Sequence, residues 1–151
     1  MIPIQRLNHA VLYVSDLKRA VSFYTRLLGM SVVAQEGPMA FLRAKTSNNH
    51  HDLGLLGLGS QAQRPAPGST GLYHLAWQVA TIEELAAARE ELIQEGAYRG
   101  ESDHGATKSV YAADPDGNEF EVMVLLPREA WGKYEHEAPV LPLNWKQELK
   151  K

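Results

Sequence analysis

β-forming residues dominate from Arg6 to Val14, and the apolar positions then change period. Behind Ser15 and Asp16, the residues Leu17, Ala20, Val21, Tyr24, Leu27 and Leu28 recur at the spacing of one helical face, which predicts a helix closed by Gly29 as a C′ glycine. Three shorter strands are expected after it, over 31–35, 39–45 and 52–58. The same grammar returns from Leu72. A strand over 72–79 precedes Thr81 and Glu84, a T-x-x-E capping box, and Ile82, Leu85, Ala86, Leu92 and Ile93 follow at helical spacing up to Gly96. Strands over 97–100, 108–113 and 119–126 complete the half, the last two joined by the turn Asp114-Pro115-Asp116-Gly117-Asn118.

The chain therefore reads as duplicated, each half βαβββ. His9 precedes His74 by 65 positions, Leu17 precedes Ile82 by 65, and Gly29 precedes Gly96 by 67, so three landmarks keep nearly one register. The expected organisation is a first repeat over 5–58, a Gln-, Pro-, Ser- and Gly-rich connection over 59–71, a second repeat over 72–126 and a C-terminal tail over 127–151. A half of about 65 residues buries too little surface to stand alone, so one domain over 1–151 is expected. Its fold class is α+β, with the two repeats forming one curved, cup-like mixed sheet.

Composition narrows the function. The 151 residues are 44% apolar and 22% charged with a net charge of -3, which fits a globular chain and gives no basic surface for nucleic acid. No run approaches the roughly 20 apolar residues of a membrane span, and no basic segment followed by a signal-type apolar run opens the chain, so a soluble, cytoplasmic protein is expected. With no cysteine, thiolate metal sites, iron-sulfur clusters and cysteine nucleophiles drop out. Any metal must rest on His, Asp or Glu.

His9 is placed mid-strand on a face with Leu7, Val11 and Tyr13, where a polar ring needs a reason. His74 holds the matching position with Leu72, Ala76 and Gln78. A pseudo-twofold relation between the halves would bring the two imidazoles together, which suggests a metal. On the last strand, Glu121 shares its face with Met123 and Leu125, and a free carboxylate there is costly unless protonated or bound to a cation. Glu119, beside the turn, reads as solvated. Two imidazoles and one carboxylate on separate strands make the facial triad associated with non-haem iron(II). The position that symmetry pairs with Glu121 falls at Gly54 to Leu56, none of which binds metal, so about three coordination positions stay open to exogenous ligands.

These residues carry a resemblance. The duplicated βαβββ pattern, "GLYHLAWQV" around His74 and "DPDGNEFEV" around Glu121 resemble the vicinal oxygen chelate superfamily over roughly residues 5–126. The segments "NNHHDLGLLGLG", "SDHGATKSVYAADPDGNEFE" and "LPREAWGKYE" are similar to the small, single-module type I extradiol catechol dioxygenases. The resemblance implies iron(II), with manganese(II) as a replacement, on His9, His74 and Glu121. It implies His51 as acid/base near oxygen, Tyr111 as the group that binds the catecholate, and His104 as an aid to the substrate hydroxyl. The implied partners are a small aromatic diol and O2. By strand parity His51 is expected to share a face with Leu53 and Leu55, and an offset start to that strand would favour His50.

Two other functions use the same frame: a glyoxalase-type lyase or isomerase, which ordinarily has a fourth protein ligand, and a non-catalytic drug-binding protein of the bleomycin-resistance type, which generally lacks the triad. In the tail, Trp131, Tyr134 and Trp145 need a surface to pack on, whether the module's exterior, a second subunit of a homodimer or a ligand beneath a lid. His136, between two glutamates, reads as a solvated surface residue.

Overall fold

The computed structural model describes residues 1–150, which divide into two units after Ser69. In the first unit, β1 (Ala10–Val14) leads into α1 (Leu17–Leu27), then β2 (Ser31–Glu36), β3 (Met39–Arg43) and β4 (Leu53–Gly57). The sheet runs in the order β1-β4-β3-β2, with β1 parallel to β4 and the other pairs antiparallel. Period-two alternation divides its faces. Leu12, Val14, Ala40, Leu42, Leu53 and Leu55 are buried on the side where α1 supplies Ala20, Phe23 and Tyr24. The opposite face carries Val11, Tyr13, Phe41 and Gly54. Asp16 caps α1, its Oδ1 accepting from the Arg19 N–H at 3.0 Å.

β1 starts at Ala10, later than the expected Arg6, because side chains take over the hydrogen bonding before it. The Asn49 side-chain amide donates to the Asn8 carbonyl at 2.9 Å and to Asp52 Oδ1 at 2.7 Å. The backbone ladder begins only where the Ala10 N–H meets the Asp52 carbonyl at 3.1 Å. His9 thus stands at the head of β1, not in its middle.

The second unit repeats the plan with β5 (His74–Val79), α2 (Ile82–Gln94), β6 (Tyr98–Asp103), β7 (Thr107–Ala113) and β8 (Glu119–Leu125), ordered β5-β8-β7-β6. Val110, Ala112, Phe120, Val122 and Val124 are buried on the α2 side with Leu85 and Leu92. Thr81 caps α2, and Glu84 reaches back to the Ala80 N–H at 2.7 Å, one residue before the cap. In the β7–β8 turn, Asp114 Oδ1 accepts from the N–H groups of Asp116 at 2.9 Å and Asn118 at 2.8 Å. β6 runs three residues past its expected end at Gly100, paired with β7 through Asp103 and Lys108. Lys108 Nζ lies 2.5 Å from Asp103 Oδ1 there. Beyond Pro127 come two 3-10 turns, Arg128–Ala130 and Gly132–Glu135, and a short α3 (Trp145–Glu148). Trp131, Tyr134 and Trp145 are all half-buried, whereas His136 is exposed.

Candidate metal and substrate site

Four of the expected residues meet on one face of the second unit's sheet. β5 and β8 pair Ala76 with Glu121, and β7 and β8 pair Tyr111 with Glu121. Paired residues point to the same side, so His74, Glu121 and Tyr111 share the face away from α2. His74 Nε2 stands 3.1 Å from Glu121 Oε2, and the Glu121 side chain is 12% exposed. The rings of His74 and Tyr111 are 5.8 Å apart. His104, in the loop after β6, completes the group with Nε2 at 2.7 Å from the Tyr111 hydroxyl. Burial, followed by the charge of Glu121, pushes the Tyr111 hydroxyl above its ordinary pKa, so it remains a proton donor.

The other two residues lie in the first unit. His9 is exposed, and its Nδ1 meets Asn8 Oδ1 at 2.9 Å. A carbonyl oxygen only accepts, so Nδ1 carries the proton and Nε2 the lone pair. The His51 ring packs on His9 at 4.4 Å and on Phe41 at 4.9 Å. This corrects the parity expectation. Leu53 and Leu55 are wholly buried toward α1, while Phe41 and His9 belong to the other side, because residue 51 precedes the first paired residue of β4 and does not follow the strand's alternation. His50 is exposed, with Nδ1 3.0 Å from His51 Nδ1. Burial first, then the neighbouring His9 and His50, hold His51 below its ordinary pKa, with Asp52 opposing.

A metal ion can be tested against these donors. His74 Nε2 and Glu121 Oε2 converge as two ligands would, and His9 presents Nε2 in the ligating tautomer. His74 Nδ1 is buried without a hydrogen-bond partner, whereas Nε2 faces the Glu121 carboxylate. Among the described residues, no three His, Asp or Glu side chains are gathered in a metal-holding arrangement. The donor chemistry of His74 and Glu121, adjacent in the second unit, fits a divalent cation.

Register sharpens the missing fourth ligand. Val11 stands two residues past His9 and pairs with Gly54; Ala76 stands two past His74 and pairs with Glu121. Gly54 is therefore the counterpart of Glu121, and a Cβ there would meet Val11 Cγ2 at 3.1 Å. Asn8 was not among the residues expected to matter. Its only signal in the sequence is adjacency to His9.

The model of the Glyoxalase/Bleomycin resistance protein/Dioxygenase superfamily matches residues 6–122, and the chain belongs to that family. It is 32% identical over 126 residues to catechol-2,3-dioxygenase of Bacillus subtilis (strain 168), covering 83% of this chain and 43% of that protein. It is 34% identical over 121 residues to biphenyl-2,3-diol 1,2-dioxygenase 3 of Rhodococcus globerulus, covering 79% and 63%. The chain thus spans about half the length of these relatives. It is also 31% identical over 122 residues to glutathione transferase FosA of Serratia marcescens, covering 80% and 82%. Among solved structures, a glyoxalase/dioxygenase from Nostoc punctiforme superposes with a TM-score of 0.68 at 19% identity, covering 84% of this chain and 97% of that one, a likeness of fold. The fold is the vicinal oxygen chelate type. No helix among the described residues is long and apolar enough to cross a membrane.

Proposed function

We propose that this protein is an iron(II)-dependent extradiol dioxygenase that opens a catecholic ring beside its two hydroxyls, with manganese(II) able to replace iron. His9, His74 and Glu121 would hold the metal, the two units acting as one domain. Bound metal would supply Lewis acidity toward the vicinal hydroxyls and a site at which the catecholate can pass electrons to O2. The observation that carries the reading is the His104–Tyr111 hydrogen bond beside His74 and Glu121.

In this reading the Tyr111 hydroxyl oxygen accepts from the substrate hydroxyl and orients the ring. His104 accepts from Tyr111, holding that hydroxyl in place. His51, kept neutral by its surroundings, exchanges a proton near O2. Gly54 at the Glu121 counterpart supports a three-ligand site over the four-ligand lyase or isomerase.

The test is anaerobic loading with iron(II), followed by exposure to air with a panel of small catechols. Coloured ring-fission products with stoichiometric O2 uptake are expected. A chain loaded with metal that leaves every catechol intact and instead joins glutathione to an acceptor would replace this reading with that of a transferase.

A further inference from the structure

The C-terminal tail lies outside the matched family region, yet it touches the candidate site through the backbone. β6 is an edge strand, and edge strands carry unpaired backbone groups. Here the tail runs antiparallel beside that edge. Leu141 pairs with Asp103, its N–H donating to the Asp103 carbonyl at 3.0 Å and its carbonyl accepting from the Asp103 N–H at 2.8 Å. Further along, Trp145 Nε1–H donates to Glu101 Oε1 at 2.9 Å, and the Arg89 guanidinium lies 5.8 Å from the Trp145 ring. At the other end of the run, the Pro139 carbonyl lies 2.6 Å from His104 Nδ1.

We infer that residues 139–145 form a positioning strap that sets the tautomer of His104. This inference rests on the proposed role of the His104–Tyr111 pair. A peptide carbonyl can only accept, so His104 Nδ1 must donate to Pro139, and in the neutral ring Nε2 then keeps its lone pair. Only that tautomer accepts from the Tyr111 hydroxyl at 2.7 Å. In the other tautomer Nε2–H would donate to Tyr111 and turn the hydroxyl proton away from His104. The Leu141–Asp103 bridge and the Trp145–Glu101 bond fix the strap one and three residues from His104, so Pro139 is held in register with the imidazole.

The experiment compares the full-length chain with Leu141→Pro, which removes one bridge donor, and with Leu141→Ala, which keeps the backbone pairing. Trp145→Phe removes the indole donor and keeps the ring, and so tests the strap independently of any disturbance by proline. The His104 tautomer is read by nitrogen NMR of histidine-labelled protein, its signal assigned by its loss in His104→Gln. Wild type and Leu141→Ala should show the Nδ1–H form. In Leu141→Pro and Trp145→Phe its ratio to the Nε2–H form should fall by about two- to tenfold, the worth of one hydrogen bond. Turnover should fall in parallel with little change in bound metal. An Nε2–H tautomer in the wild type, or an unchanged Nδ1–H form in both strap variants, would overturn the inference. A tautomer shift in a chain that opens no catechol would uphold the strap and refute the dioxygenase.

Discussion

At the residue scale, the proposed role of His51 separates dioxygenase from isomerase chemistry. Its ring lies against His9 and Phe41, and its surroundings favour the neutral form. Replacement by Gln keeps bulk and hydrogen bonding but cannot exchange a proton near neutral pH. His51→Gln should therefore retain metal and catechol affinity, while turnover falls by about 10² to 10⁴. Metal analysis beside steady-state kinetics checks this, and loss of metal would make His51 a ligand. His9→Ala, His74→Ala and Glu121→Ala should each lose the metal; normal content in any one removes that residue from the set. Strand parity put Glu121 on one face with Met123, as β8 has it, whereas its pairing with Tyr111 came from the fold. Parity misplaced the partners of His51, because alternation holds only inside a paired strand and residue 51 lies before β4.

At the element scale, the tail and β6 are joined by a half-buried polar cluster. Burial would raise the Glu101 carboxyl, but hydrogen bonds from Arg89, Trp145 and Tyr98 outweigh it and hold its pKa below the ordinary value. A carboxyl depressed in the folded state adds stability above its unfolded pKa and loses it as the pH falls through the folded value. Glu101→Gln should melt lower than wild type at pH 7, with the gap closing as the pH drops below about 4. Thermal melts across that range read the effect directly. Gly105 gives a second test of tail docking. Its φ is +79°, and a Cβ built on it would lie 2.3 Å from the Tyr134 ring. Gly105→Ala should cost about 1–3 kcal/mol, through backbone strain and displacement of Tyr134. An unchanged melting temperature would mean that Tyr134 is not held there in solution.

At the scale of the whole molecule, the proposal that both units form one domain predicts one cooperative unfolding transition, raised by iron(II) or manganese(II) through preferential binding to the folded state. The first unit alone has a small core, and Val11 and Tyr13 stand 49% and 66% exposed on its open face. A fragment of residues 1–69 should neither melt cooperatively nor retain the metal. Calorimetry of the full chain with and without metal, beside the fragment, checks both statements.

By itself the sequence determined what depends on near neighbours and on period. Helical spacing behind Asp16 and Thr81 placed α1 and α2, period-two alternation assigned the faces of β7 and β8, and the 65-residue register exposed the duplication and matched His9 with His74. Tertiary structure alone decided what depends on groups distant in the chain. The Asn8–Asn49–Asp52 network moved the start of β1 and set the proton of His9. The Pro139 carbonyl, 35 residues from His104, governs which nitrogen of that ring faces Tyr111. A hydrophobic period records which side of an element is buried, because burial repeats with the turn of the backbone. A hydrogen bond to a peptide carbonyl leaves no such record, since every residue has one and only the folded path of the chain determines which imidazole it meets.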